Sequence, residues 1–478
     1  MKYPRRDFLI TAAGAAAAGA CLAGSQPLAV SQETVGKTVA AKGSHVAAFR
    51  CDITPPIGLP CYTTDVICEV ERPLLAKGIV MQSADERFVI CALDICKISN
   101  GSHLSLRRKL AEAAGTDVSR VAVQTVHQHS APLIDIGARN MMAELDEDFA
   151  DSIHLPPRII EHIEQRIAAA VKQSLGRLEP FDHIGTGQAK VDRVACSRRP
   201  VDESGEIQVR FSTCKKPEVR ALPEGKIDPY LKTITLARGD KPLVRLHYYT
   251  THPQTRYGIG VASSDVVGQA REAVEQKENC PQIYFNGCAG DITMGKYNDG
   301  SDGARAGLAQ RLTEGIDASI AATKYAPAGP LQWRTCNLKM TPRTDDGFGV
   351  EECVKAWRDP KQNPVWRMIR GPRRLVFHGR ANLPIELSSL QIGGVHILHL
   401  PGEPMIRFQL FAQGLKPDDF VAVAAYGDGG PGYLCTKEAF DEGGYEPTVS
   451  NVVPESGVLL NKSIAALLGI DDTIQDNS

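Results

Sequence analysis

His127 and His129 stand two residues apart in Val126-His127-Gln128-His129-Ser130-Ala131-Pro132, directly after the apolar run Val121 to Thr125. A strand that continues through them has a side-chain period of two and points both imidazoles to one face. Such a pair can bind one metal ion, or divide the work between a ligand and a partner that moves a proton or holds a substrate. The plainer alternative is two histidines on a solvated strand end, but only 12 histidines occur in the chain and this strand runs into a Ser-Ala-Pro turn, as a cleft wall would. His252, in Thr251-His252-Pro253, offers a third nitrogen; taken alone it reads as a packed or exposed residue. Glu403 lies between prolines in Leu400-Pro401-Gly402-Glu403-Pro404, where the rings fix the backbone and Gly402 permits a close approach. That suits a rigidly held carboxylate, and equally a first-turn glutamate offsetting the dipole of a helix over Met405 to Gln413. Imidazoles and a carboxylate together would leave a divalent metal ion positively charged with an open position, so that bound water ionises more readily and a carbonyl is polarised.

The elements that must deliver these side chains follow from pattern. Residues 78–81 and 88–94 flank a polar turn and predict a β-hairpin; 231–237 and 243–249 flank Gly239-Asp240; 385–392 and 395–400 flank Gly393-Gly394. Helices are expected over Leu104 to Ala114 and, from the stripe Ile159, Ile160, Ile163, Ile167, Ala170 and Val171, over Pro156 to Leu175. His252 and Glu403 follow hairpins and His127 follows a strand that comes after a helix, so each stands where regular structure stops, the usual place for chemistry in α/β folds. Asn286-Gly287-Cys288-Ala289-Gly290-Asp291-Ile292-Thr293 follows an apolar strand, and its small residues suit an anion or oxyanion site; it lacks the Lys-Ser/Thr of a nucleotide-binding loop. Gly-rich turns bearing tyrosines occur at Tyr426 to Tyr433 and at Gly443 to Glu446. Residues 340–380 read as a polar, Arg-rich helical insertion. No repeat of 20 to 50 residues and no Pro/Ser linker divides the chain after residue 45, which predicts one large α/β domain, 45–478.

The length of 478 residues, with 43% hydrophobic and 23% charged, suits a globular protein and excludes a disordered chain or a polytopic membrane protein. A net charge of -2 excludes a basic nucleic-acid binder. Arg5-Arg6 precedes an uncharged Ala/Gly-rich run from Phe8 to Gly24, so residues 1–31 read as a twin-arginine export signal and 32–44 as a flexible leader, with a periplasmic or cell-surface destination. Cys21 sits in a poor lipobox. The 12 remaining cysteines, spread from Cys51 to Cys435, permit disulfides whose pairing the sequence does not reveal.

Taken in order, Asp52-Ile53-Thr54-Pro55-Pro56, Ala92-Leu93-Asp94, His127 to Pro132, Thr251-His252-Pro253, Ser263-Ser264-Asp265, Asn286 to Asp291, Pro401 to Pro404 and Gly444-Tyr445-Glu446 resemble the catalytic domain of the neutral/alkaline (non-lysosomal) ceramidases over about residues 45 to 470. The resemblance implies a single domain of mixed β-sheets flanked by helices and a zinc ion held by His127, His252, Glu403 and Tyr445, with Tyr433 close to the last. It implies that His129 contacts substrate or moves a proton and that Arg198 contacts substrate. Where ceramidases commonly carry a serine after the Gly-Asp of the Gly-rich segment, this chain has Thr293, and it ends before the C-terminal immunoglobulin-like domain. The expectation is therefore a zinc-dependent amidohydrolase acting on a small-molecule or lipid N-acyl substrate, with room for peripheral membrane contact and no protein partner. A zinc esterase on the same site and a non-catalytic periplasmic binding protein are the alternatives.

Overall fold

The computed structural model describes residues 35–39, 43–62 and 65–470; the export signal expected over 1–31 lies outside them. Its first strand, β1 (Val35–Val39), falls within the expected flexible leader. The leader reading fails there because this segment pairs with an open sheet edge late in the chain.

The rest is built from one topology used three times. In residues 45–180, β2 (His45–Asp52), β3 (Leu75–Ser83) and β4 (Glu86–Leu93) form an antiparallel meander. Helix α1 (Gly101–Ala114) then crosses over, β5 (Val121–Thr125) pairs parallel with β4, α2 (Pro157–Ser174) packs on α1 and β2, and β6 (Glu179–Pro180) closes the edge beside β2. In residues 183–327 the same order recurs as β7 (His183–Lys190), β8 (Tyr230–Arg238), β9 (Lys241–Tyr249), α3 (Asp265–Glu278), β10 (Gln282–Asn286), α4 (Asp302–Ala321) and edge strand β11 (Lys324–Pro327). In residues 331–467 it is β12 (Leu331–Leu338), β13 (Ile385–Ile392), β14 (Val395–His399), α6 (Ile406–Leu415), β16 (Phe420–Ala424) and α7 (Ser456–Leu467), with α5 (Val350–Arg358) in the insertion between β12 and β13. Here the edge strand is β1, from the other end of the chain. A short parallel pair, β15 (Glu403–Pro404) with β17 (Tyr433–Leu434), is added at the end of this unit's sheet.

The strand period of two sorts the first sheet's residues between two cores. Ile79, Met81, Phe88 and Ile90 join Ile234, Leu246, Leu331, Leu387 and Ile397 of the other two sheets in one central cluster, while Val80, Val89, Cys91 and Leu93 face α1 and α2. All three predicted hairpins and both predicted helices are present, as is the helical insertion. The 12 cysteines from Cys51 to Cys435 are all free thiols. Among the described residues no helix is long and apolar enough to cross a membrane.

Candidate metal centre

The three sheets deliver their chemistry from strand ends. Strand β5 stops at Thr125 instead of running on through the histidine pair, and His127 adopts a left-handed φ of 68°. The bend replaces the strand alternation expected there: His127 N bonds Ile95 O while His129 N bonds Pro253 O, so two different segments aim the two rings inward. Glu403 belongs to β15 and precedes α6 by three residues, which excludes the first-turn reading. Gly402, at φ 61°, is the close approach its sequence context suggested: a Cβ there would meet Gly432 O at 2.7 Å, the carbonyl that also accepts from Glu403 N at 2.9 Å.

His127, His129, His252 and Glu403 meet on the wall of a cavity of about 410 Å³. The Nε2 atoms of His127 and His252 are 3.1 Å apart, those of His127 and His129 3.2 Å, those of His129 and His252 3.1 Å, and Glu403 Oε2 lies 3.2 Å from His127 Nε2. Donors around a tetrahedral zinc at about 2.0–2.1 Å sit about 3.3 Å from one another, so this spacing matches a shell drawn around one ion. Glu403 Oε2 is buried without a hydrogen-bond partner although the imidazole is near, because the contact lacks hydrogen-bond geometry. An orphaned carboxylate oxygen among converging lone pairs is what a cation would satisfy.

Hydrogen bonds on the far sides of the rings sort their roles. His127 Nδ1 donates to Cys96 O at 2.7 Å, leaving Nε2 with a free lone pair. His129 Nδ1 instead accepts from the Gln254 side-chain amide, which puts the proton of a neutral ring on Nε2. His252 Nδ1 lies 3.2 Å from Ala289 O and 3.0 Å from Arg198 Nη2; the carbonyl favours the metal-binding tautomer and the guanidinium opposes it. Burial, joined by neighbouring cationic groups, holds His129 and His252 well below the usual imidazole range, so both stay neutral. Burial alone would raise Glu403, but the Lys97 ammonium beside it overcomes this and holds the carboxyl well below the usual carboxylate range. Lys97, itself buried, ion-pairs with Glu403 Oε1. The thiol of Cys96, near His127 and His129, is pushed far up by burial and stays protonated.

Arg198 is buried beside the site, donating to Tyr433 Oη at 3.0 Å and lying 3.6 Å from the buried Glu446. Tyr445, expected as fourth ligand, lines the cavity, and burial pushes its phenol up to about 12. Tyr433 is the tyrosine bound by strand pairing to Glu403, and the Arg198 guanidinium lies 5.5 Å from both rings. The Gly-rich segment is not an anion site. A Cβ at Gly290 would meet Glu403 O at 2.4 Å and one at Gly287 would meet Thr250 Oγ1 at 2.2 Å, so its small residues admit the neighbouring chain. Asp291 accepts from Ile406 N at 2.7 Å, locking the glutamate segment in place. Thr293 is fully buried, donates to Ser212 at 2.9 Å and does not line the cavity. Sequence reasoning missed Lys97 and Gln254 and read Tyr426 only as part of a turn; its ring stacks on His127 with centroids 4.3 Å apart.

Among solved structures, a ceramidase complexed with C2 superposes at TM-score 0.66 and 13% identity over 90% of this chain and 76% of that one. The neutral ceramidase from Pseudomonas aeruginosa superposes at 0.64 and 14% identity, over 90% and 75%. The chain has the neutral ceramidase fold. No protein-family model and no curated protein matches the sequence. Within the ceramidase fold, the three strand ends at the cavity carry the metal-capable cluster described above.

Proposed function

We propose that this protein is a zinc-dependent hydrolase cleaving an N-acyl (amide) bond. The observation that carries the reading is the convergence of three imidazole nitrogens and the Glu403 carboxylate on the wall of one cavity, on the ceramidase fold. His127, His252 and Glu403 would hold the ion, with Tyr433 or Tyr445 as fourth ligand. When bound, zinc polarises the amide carbonyl and acidifies a water molecule. His129 would contact the substrate through its Nε2 proton, or take a proton at Nε2 in the tautomer that carries its own on Nδ1, with the Gln254 amide turned to accept it. Arg198 fixes Tyr433 and the back of His252, and Glu446 balances its charge. An N-acyl substrate is supported by the structural likeness to a ceramidase complexed with C2, and the Arg5-Arg6 leader supports export by the twin-arginine route to the periplasm or cell surface.

Metal analysis of the purified protein tests the first part: about one zinc per chain is expected, lost in His127→Ala. His129→Ala should keep most of the zinc yet lose about 10²–10⁴ in kcat; equal loss of both would make His129 a ligand. Cleavage of N-acyl amines, with matched esters untouched or slower, supports amide hydrolysis. The reverse order makes the protein an esterase, and no turnover of either by zinc-loaded protein leaves a binding protein.

A further inference from the structure

The insertion after β12 contributes to the cavity as well as to the surface. Within it, residues Ile369–Arg373 form a single π-helical turn, broken at Gly371 (φ -114°, ψ -109°), where a Cβ would meet Trp357 Cβ at 2.6 Å. A π turn takes more than four residues, so positions i and i+4 come onto one face; here these are Ile369 and Arg373, and both line the cavity.

Four arginines crowd this segment, and three are engaged. Arg367 donates to Trp357 O at 2.7 Å, Arg370 lies over the Trp366 ring at 4.4 Å, and Arg374 bonds Gly347 O, Thr448 O and Asn451. Arg373 alone has no hydrogen bond, ion pair or ring contact among the described residues. Asp135 is the carboxylate whose field reaches it, but that group is taken by Ala138 N at 3.1 Å and Asn100 Nδ2 at 2.8 Å. The other cations on the cavity wall are matched, Lys97 by Glu403 and Arg198 by Tyr433 and Glu446. Three cationic side chains therefore face the cavity against one carboxylate, and one of the three is free.

We propose that Arg373 binds a carboxylate on the substrate, so that the substrate class is an N-acyl compound carrying a carboxylate near the scissile amide and not a neutral lipid amide. The guanidinium fork matches a carboxylate in a bidentate pair, and one unpartnered arginine balances one such charge, whereas a phosphate dianion calls for more. This rests on the amide-hydrolase reading and adds the substrate's charge to it.

The test compares N-dodecanoylglycine and N-succinyl-dodecylamine, each against its neutral carboxamide, with zinc-loaded full-length protein. The two acids place the charge on the amine or the acyl half, and the better one locates it. The native protein should prefer at least one acid over its carboxamide by about 10- to 100-fold in kcat/KM, chiefly through KM. Arg373→Gln should collapse that ratio toward one, and Arg373→Lys should restore part of it. A native preference for both carboxamides, or an acid preference unchanged in Arg373→Gln, overturns the proposal. If no amide is cleaved, the hydrolase reading fails by itself, and calorimetric binding of the same compounds decides Arg373: weaker acid binding by tenfold or more in Arg373→Gln supports it, equal binding overturns it.

Discussion

The first and third units share a backbone plan and put contrasting chemistry at matched points of it. Four residues past the last paired residue of β4 and β14, Leu93 and His399, stand Lys97 and Glu403, which pair with one another. Two residues past the ends of β5 and β16, Thr125 and Ala424, stand His127 and Tyr426, both left-handed, at φ 68° and 63°, with stacked rings. The second unit has Pro253 and Cys288 at these points and contributes His252 one residue earlier. The left-handed bend is thus shared by the first and third units and lacking at Cys288 of the second, while the reactive group depends on which side chain occupies the point.

Exchanging the two halves of the matched ion pair should break the symmetry most visibly. Glu403→Gln is expected to lose zinc and about 10³ or more in kcat/KM, whereas Lys97→Met, which removes a cation next to the site, should keep zinc. Zinc titration of both variants checks this; equal zinc loss would mean that the matched points are functionally alike.

The next effect concerns a feature all three units share, a buried neutral histidine: His103 on α1, His247 on β9 and His399 on β14. Burial lowers His103 and His247 to about 4 and His399 to about 3. Their folded pKa values lie below the unfolded value of about 6.5, so the unfolded chain takes up protons that the folded chain refuses, and stability falls as pH drops through that window. Each group contributes on the order of 2–4 kcal/mol by pH 4. Urea unfolding of zinc-free protein should show a midpoint that declines steadily below about pH 6.5; a midpoint unchanged between pH 7 and 5 contradicts it.

Gly402→Ala forces a side chain into the left-handed region and against Gly432 O, at a cost of about 1–3 kcal/mol. Thermal melting should fall, together with zinc affinity, since the same turn orients Glu403; an unshifted melting curve rules out this role for the turn. Tyr426→Leu is the mildest. It removes the ring stacked on His127, worth about 0.5–1.5 kcal/mol, and should keep zinc while weakening its binding modestly. Complete zinc loss would instead make Tyr426 part of the metal shell.

Much of this was readable in the chain itself. Gly239-Asp240 and Gly393-Gly394 marked hairpins by turn chemistry, the isoleucine stripe marked α2, and the placement of His127, His252 and Glu403 after strands pointed to one cluster. What escaped depends on contacts between distant segments. The left-handed turn at His127 follows no glycine signal, because it is imposed by Ile95 and Pro253 from other strand ends. The small residues of Asn286 to Asp291 look alike whether they face a ligand or a neighbouring chain, and only the path of Glu403 and Pro404 decides it. The threefold plan escaped because side chains at equivalent points differ, as Lys97, Pro253 and Glu403 do. Val35 to Val39 reads as leader because its partner lies about three hundred residues away, beyond the reach of any local pattern.

That pairing has a consequence for biosynthesis. On the ribosome β1 precedes every other described strand, and its partner β12 follows only after two complete units have been translated, so for most of synthesis a β-prone segment lacks its partner strand. A fragment cut short before residue 331 keeps that edge exposed for good, and should self-associate where the finished polypeptide stays dispersed.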